Sequence, residues 1–447
     1  MASGEKVFKE ADLAYDNALD IFEIPVSNLG VSEVKHIVHK PLNQFSTEGN
    51  VKFRVSGAGS SYIDMREIYI KSSVRIVKAD GGAIPAPPAQ SSTEAGMYSV
   101  GPVNNLADSL WYQVEIRMND TVVLGGQTAY AYNAILNTLL DENSLTEADL
   151  ECAMFVKDTA GYHNDAGLSG GNEGFKTRAA LMKKSKSVEL QARLDADVFK
   201  TQKYLINGVS LDVTLIPTSS AFRLMSANKT YTDYVLEIQD ISLVVKKVVP
   251  SSQVLVGHQE VMKGELSRAK YFYLKEDIRR FTLAKGTSSY YVEDSFNGKI
   301  PNTLAIAFVA GDALMGTTKK NPFSFQHFDV SHINVSLSGS PTPRGPLTFD
   351  FTQGKYLQSF HDLYACKSKI PSHNQRIQKK EFANGYSIFV VHLNPQNRDT
   401  YFPSNRDGFV RIELRFSIPL VESVVMVAKV SYPGLYEFDY QRNVYIS

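Results

Sequence analysis

Apolar and polar residues alternate with a period of two along much of this chain. Val188, Leu190, Ala192, Leu194, Ala196 and Val198 fall on one side of such a run, and Glu189, Gln191, Arg193, Asp195 and Asp197 on the other. The pattern returns at Ile68, Ile70, Val74 and Ile76; at Val114, Ile116 and Met118; at Val209, Leu211, Val213 and Leu215; and from Val410 through Ile412, Leu414 and Phe416 to Ile418. Side chains alternate across a strand, so each run predicts a strand with one buried face and one wet or contact-making face. Asn-Gly pairs stand at 207–208, 297–298 and 384–385, each ahead of an apolar alternating run. Both residues tolerate positive φ, so the pairs predict tight turns. Helical signals are few: residues 127–140 could form one helix, and 355–365, around Tyr356, Leu357, Phe360 and Leu363, another. Many short strands punctuated by Gly, Pro and Asn predict sandwiches or jelly rolls.

The stretch from Phe296 to Phe323 shows the pattern in miniature. Asn297-Gly298 and Pro301 form a turn signal, Leu304, Ile306, Phe308 and Val309 an apolar run, and Asn321-Pro322-Phe323 a second corner. Nothing in it could do chemistry. Long loops are expected at 79–102, rich in Ala, Gly, Pro and Ser; at 158–176, with five glycines; and at 338–346. Loops of this length in a β-sandwich are surface or interaction elements. With 447 residues the chain is too long for one core and long enough for two domains of about 200 residues. The join is expected at 248–270, where Val248-Val249-Pro250 ends a strand cluster and a polar, partly helical segment begins. The expected organisation is an arm at 1–19, a first sandwich at 20–250, a second at 251–440 and a tail at 441–447.

Composition narrows the function. Lys and Arg number 47 and so do Asp and Glu, giving zero formal net charge. A dedicated nucleic-acid binder carries a basic excess or stripe, and only short clusters such as Lys183-Lys184 and Lys379-Lys380 occur here. Cys152 and Cys366 are far apart and belong to no CxxC, which argues against a disulfide framework or a cysteine metal site. No secretory h-region follows Met1, and the apolar runs fall far short of the ~20 residues that span a bilayer. The sequons at Asn119, Asn228 and Asn334 therefore read as chance, and a reduced, intracellular, soluble protein is expected.

Each candidate for chemistry has a stronger structural reading. Gly311 to Thr318 nearly matches a phosphate loop, but Thr317 stands where the phosphate-binding lysine belongs. Gly167-Leu168-Ser169-Gly170-Gly171 matches the nucleophile-elbow pattern without the strand and helix that an elbow needs. His36 and His39, three apart in an alternating run, would lie on opposite strand faces, and His327 and His332 lack metal-site context. Asp195 and Asp197 share one face and could serve as a glycosidase pair, but no aromatic platform adjoins them, so a solvated strand face is expected. Aromatic runs at Tyr271-Phe272-Tyr273, Tyr290-Tyr291 and Phe323-Ser324-Phe325 read as core or interface filling. No cofactor, metal or catalytic residue is assigned.

Several blocks, in order, resemble the hexon-like major capsid proteins of Polinton/Maverick transposons and adintoviruses. They are residues 20–25 (Asp-Ile-Phe-Glu-Ile-Pro); Val103-Asn104-Asn105 with 110–114; 130–140; 190–199; and Leu205-Ile206-Asn207-Gly208-Val209. They continue through Asn297-Gly298, Asn321-Pro322-Phe323, 384–389 and 412–416 to Arg442-Asn443-Val444. The resemblance implies an all-β double jelly roll, two eight-stranded antiparallel sandwiches side by side with a few short helices in loops. It further implies a structural, non-enzymatic role: homotrimeric, pseudo-hexagonal capsomers tiling an icosahedral shell around a DNA genome. Partners would be further copies, then penton and minor capsid proteins, with no sequence-specific nucleic-acid binding and membrane contact left open. Synthesis in the host cytoplasm and assembly in the host nucleus would follow. What carries over is structural: Asn207, Gly208, Asn297, Gly298, Pro301, Asn321, Pro322, Phe323, Asn384 and Gly385. The rival functions are a two-domain carbohydrate-binding sandwich and a glycoside hydrolase.

Overall fold

The computed structural model describes residues 28–44, 46–84, 99–143, 145–168, 170–228, 233–264, 267–342, 345–364, 375–394 and 403–446. The expected arm at 1–19, the block at 20–25, most of the 79–102 loop, Ser169 and Cys366 lie outside these residues.

Among the described residues ten strands precede residue 251: β1 (Val31–His39), β2 (Val51–Val55), β3 (Tyr62–Lys78), β4 (Val100–Pro102), β5 (Trp111–Met118), β6 (Thr121–Thr128), β7 (Val188–Arg193), β8 (Leu211–Pro217), β9 (Leu224–Ser226) and β10 (Tyr234–Pro250). Ten follow: β11 (Ala269–Leu283), β12 (Ser289–Val292), β13 (Thr303–Ala310), β14 (Val330–Leu337), β15 (Ser340–Pro341), β16 (Leu347–Thr348), β17 (Ile388–His392), β18 (Val410–Phe416), β19 (Val424–Phe438) and β20 (Val444–Ile446). Between them lie α1 (Leu106–Ser109), α2 (Tyr130–Leu139), α3 (Glu147–Cys152), α4 (Glu173–Leu181), α5 (Ser220–Arg223), α6 (Ser252–Met262), α7 (Gly311–Met315), α8 (Leu357–Asp362) and α9 (Lys379–Phe382).

The first half forms sheets ordered β1-β10-β3-β7 and β2-β8-β5-β6; the second forms β11-β19-β13-β17 and β12-β18-β14-β15. Number the eight principal strands of each half in chain order, setting aside β4, β9, β16 and β20. Both halves then read 1-8-3-6 and 2-7-4-5. This is jelly-roll wiring, in which the first strand pairs with the last. The same topology occurs twice without a visible sequence repeat, and all the pairs are antiparallel.

Alternation builds the cores as expected. In β2, Val51, Phe53 and Val55 are buried while Lys52 and Arg54 are exposed. In β18, Val410, Ile412, Leu414 and Phe416 point inward. Two runs stop early. Ile418 lies past the end of β18 and is exposed. The 188–198 run leaves the strand at Arg193, and Asp197–Phe199 forms a 3-10 turn. The expected helices shrink to α2 and α8.

The apolar side chains of the described residues gather into two clusters, centred on the two rolls, and β9, β11, β19 and α2 contribute to both. On the fifteen-residue β11–β19 ladder, Tyr271, Tyr273, Tyr436 and Phe438 pack into the first cluster. Ile278, Leu283 and Val424 through Ala428 pack into the second. All ten residues of α2 are buried: Tyr130 and Ala134 face the first cluster, while Tyr132, Ile135, Leu136 and Leu139 face the second.

Phe308 of β13 is fully buried, with its ring 6.0 Å from Phe389 and 5.9 Å from Phe416. Truncation there removes both ring contacts and leaves a cavity in the core. Phe308→Ala is expected to cost about 3–5 kcal/mol, read as a lowered urea midpoint with unchanged slope. A loss near zero would mean that this core is loosely packed.

Candidate functional site at the seam between the rolls

Where the β11–β19 ladder passes from one core to the other, its inward positions become charged. Glu276 and Lys429 are 7% and 4% exposed, and Lys429 Nζ lies 3.8 Å from Glu276 Oε1. Charges buried this deeply require partners, and the first roll supplies them. Lys200 Nζ donates to Glu276 Oε1 at 2.7 Å and pairs with Asp195 at 3.0 Å. Asn133 and Asn137 of α2 donate to Glu276 Oε2 at 2.7 and 2.9 Å, and Asn137 also donates to Asp195 at 2.6 Å. Lys429 donates to Asn137 and Glu142. Asp197 accepts the Glu276 backbone N–H at 2.9 Å. Tyr130 links in Asp108, donating to it at 2.9 Å while accepting the Asp195 N–H at 2.9 Å.

The seam thus holds Asp108, Asp195, Asp197, Glu276 and Glu142 against Lys200 and Lys429, an excess of acid. Burial would push the Glu276 carboxyl up, but Lys200 and Lys429 hold it down at about 2. Burial dominates at Asp108, with the Asp195 charge adding to it, and pushes that carboxyl up to about 7. Burial, with the neighbouring Glu276, also brings Asp197 to about 7.

A second polar cluster ties the 158–176 segment to the other roll. Asp158 is 3% exposed and accepts from Arg178 at 2.7 Å, Asn172 at 2.9 Å and Asn321 at 2.9 Å. Burial would raise its pKa, but the Arg178 guanidinium keeps the carboxyl below its ordinary value. Tyr386 donates to the Asp158 carbonyl at 2.8 Å, and the Gly161 N–H donates to the Asn384 carbonyl at 2.8 Å. A surface loop was the expectation for 158–176. Buried residues punctuate it instead, Asp158, His163 and Asn172 among them, because its polar groups find partners within the segment and across the seam, while Gly161, Tyr162 and Asn164 stay exposed.

The turn residues singled out from sequence converge here in part. Gly385 has φ +99°, and a Cβ on it would stand 2.3 Å from the His163 ring, so only glycine fits. The Asn321 side chain caps the corner by accepting the Phe323 N–H at 2.9 Å, and Pro322 and Phe323 are buried. The Phe323 ring meets Tyr132 of α2 at 5.6 Å and Phe222 of α5 at 5.9 Å, edge to face. Asn207-Gly208 receives the chain end: Arg442 Nε donates to the Asn207 carbonyl at 2.8 Å, and Gly208 has φ +80°. Asn297 and Gly298, at φ +54° and +75°, form an ordinary tight turn away from the seam, with Pro301 buried just beyond it.

The other sequence candidates disperse. Asp195 and Asp197 do not share a wet strand face: they are 8% and 0% exposed, turned inward by the 3-10 turn toward Lys200 and Glu276. His36 is exposed and His39 half-buried on β1. The Gly311 segment is the short helix α7. Tyr271 and Tyr273 are core, while Phe272 between them is exposed. Among the described residues no cluster of three or more His, Cys, Asp or Glu side chains could hold a metal ion. No helix among them is long and apolar enough to cross a membrane. Sequence reading passed over Glu276 and Lys429. An isolated charge inside an otherwise apolar inward register was the available signal.

No protein-family profile matches the chain. An uncharacterized protein of Caenorhabditis elegans is 21% identical over 415 residues, covering 90% of this chain and 94% of that one. Among solved structures, a chain of the Sputnik virophage superposes with a TM-score of 0.62 at 13% identity, covering 100% of this chain and 94% of its own. The mavirus major capsid protein gives 0.55 at 11% identity, covering 99% and 96%. The Faustovirus major capsid protein gives 0.56 at 9%, covering 93% and 92%. The chain has the double jelly-roll fold of these capsid proteins.

Two predictions follow the seam. Gly385→Ala meets both the His163 ring and the cost of positive φ, so a loss of roughly 2–4 kcal/mol is expected. Gly298→Ala, with nothing within 4 Å of its Cβ, should lose only about 1 kcal/mol. Equal urea midpoints for the two variants would rule out the close approach at His163. The second prediction concerns pH. Asp108 and Asp197 are raised from 3.8 to about 7 on folding, so their contribution is fully present below the unfolded value and is lost as pH rises through about 7. Glu276, lowered from 4.5 to about 2, contributes above its unfolded value and loses that contribution as pH falls toward 2. Calorimetry should therefore show a smaller rise in unfolding midpoint from pH 8 to pH 5.5 for Asp108→Asn than for the unaltered chain. Identical profiles would remove Asp108 from the account.

Proposed function

We propose that this chain is a major capsid subunit. The observation that carries the reading is the end-to-end match to the mavirus major capsid protein, 99% of this chain on 96% of that one, with jelly-roll wiring in both halves. The order of blocks that resembles Polinton and adintovirus capsid proteins supports a subunit of that kind. On this reading three copies form a pseudo-hexagonal trimer, and trimers tile an icosahedral shell around DNA. Penton and minor capsid proteins would complete the shell.

The physics of the chain fits such a subunit. Jelly rolls turn nearly all their backbone hydrogen bonding inward, leaving flat sides and loops to make contacts. Exposed apolar side chains are spread over those sides, among them Val34 and Val38 on β1, Phe272 and Leu274 on β11, and Val421 beyond β18. A closed three-fold ring uses such contacts with defined symmetry. Zero net charge suits a shell that meets nucleic acid weakly or through other proteins. The hydrolase alternative loses its pair, since Asp195 and Asp197 are engaged in the seam.

Light scattering with negative-stain microscopy tests the reading. A particle of three 49.6 kDa chains with a hexagonal outline, or closed shells, is expected. Removing residues 1–19 should leave trimers and impair shells. A monomer at high concentration, with no assembly across salt and pH, would overturn the proposal and return the carbohydrate-binding alternative.

A further inference from the structure

β19 carries Lys429 into the seam and α2 carries Asn137, and both side chains are buried, at 4% and 0% exposure. They belong to different rolls and stand 292 positions apart in sequence, yet Lys429 Nζ donates to the Asn137 side-chain carbonyl oxygen. The partners of that amide fix its orientation. Its nitrogen donates to Asp195 at 2.6 Å and to Glu276 at 2.9 Å, which leaves the oxygen to face the ammonium. Pairing of the lysine charge does not call for this contact. Glu142 accepts from the same Nζ, and Glu276 Oε1 stands 3.8 Å away. Glu276 therefore meets both ends of the pair, its Oε1 turned to the amine and its Oε2 accepting the amide N–H. A nucleophile, an acyl group with a leaving nitrogen and a carboxyl between them are the parts of an acyl transfer.

We propose that Lys429 and Asn137 condense into an amide cross-link that ties the second roll to the first. Lys429 Nζ passes a proton to Glu276, and its lone pair attacks Asn137 Cγ. The new C–N bond forms, the Cγ–Nδ2 bond breaks, and the carbonyl is restored. Two protons travel in all from Nζ through Glu276 to Nδ2, which leaves as ammonium, and nothing is oxidised or reduced. In the resting state Glu276 is ionised, held at about 2, so the neutral amine and acid are a minority form. Burial makes that form more accessible than it is in water, and the fixed contact replaces a bimolecular encounter. The reaction is therefore slow and follows folding. The inference rests on the seam and does not depend on whether shells form.

The test is the intact mass of the full chain, folded, incubated at neutral pH and then denatured. A mass about 17 Da below that of the unlinked chain is expected, one ammonia lost. A tryptic digest should contain one branched peptide joining the segments around Asn137 and Lys429. The linked chain should also run faster on a denaturing gel, because the bond closes a large loop. Lys429→Arg, which keeps the charge and lacks a free amine, should show the unlinked mass. Glu276→Gln should slow the loss of ammonia by roughly a hundredfold or more, the proton relay being gone. If either variant folds poorly, the mass and peptides of the unaltered chain decide alone. An unlinked mass after prolonged incubation would overturn the proposal. So would a loss of about 17 Da that maps to a succinimide at an Asn-Gly pair, or a loss of about 18 Da that joins Lys429 to Glu142.

Discussion

One ladder serves two cores, and most of the molecule follows from that. The β11 and β19 strands run fifteen residues in register and pass from the first apolar cluster into the second. Between clusters there is no apolar layer for a side chain to join, and the inward positions there are Glu276 and Lys429. A lone charge so placed would be intolerable; a pair supported by Lys200, Asp195 and two asparagines is stable in one geometry only. The seam thus joins the rolls through buried charges that are paired across it. Apolar burial holds the rolls together, and the ion network fixes how they sit.

The second polar cluster acts the same way at another point of contact. Asp158, Arg178, Asn321 and Tyr386 each satisfy a buried group of another member, and Gly385 lets the backbone approach His163. Two of the three Asn-Gly pairs lend their asparagine carbonyls to the opposite part of the chain, Asn207 to Arg442 and Asn384 to Gly161. In both pairs the positive φ falls on the glycine, and the asparagine before it serves as an acceptor at a joint. In the third pair, Asn297-Gly298, the glycine carbonyl is the acceptor, taking the Gly408 N–H at 2.9 Å within the same roll.

The period-two alternation made the strands, their inward faces and the jelly-roll class legible, because side-chain direction in a strand is local information. What stayed hidden depends on partners distant in sequence. Nothing local tells that Tyr271 and Ile278, on one strand, belong to different cores. Asp195 and Asp197 looked wet because they alternate with apolar residues, yet Lys200 and Glu276 supply a reason to bury them. The 158–176 segment looked loose because glycine-rich stretches usually are, and its order comes from Asn321, Asn384 and Tyr386 on the far roll.

The first-to-last pairing of each roll also sets the order in which the chain can become structured as it is made. The second roll cannot close until β19 has emerged to pair with β11, and such distant pairings are slow to form. The first roll is not exempt. Tyr436 and Phe438, near the far end of that strand, complete its apolar cluster and stack on Tyr271 and around it. A ribosome that stalls before residue 438 therefore leaves both halves with exposed apolar surface, the kind of intermediate that chaperones and proteases capture. The shared ladder ties completion of both cores to the synthesis of β19.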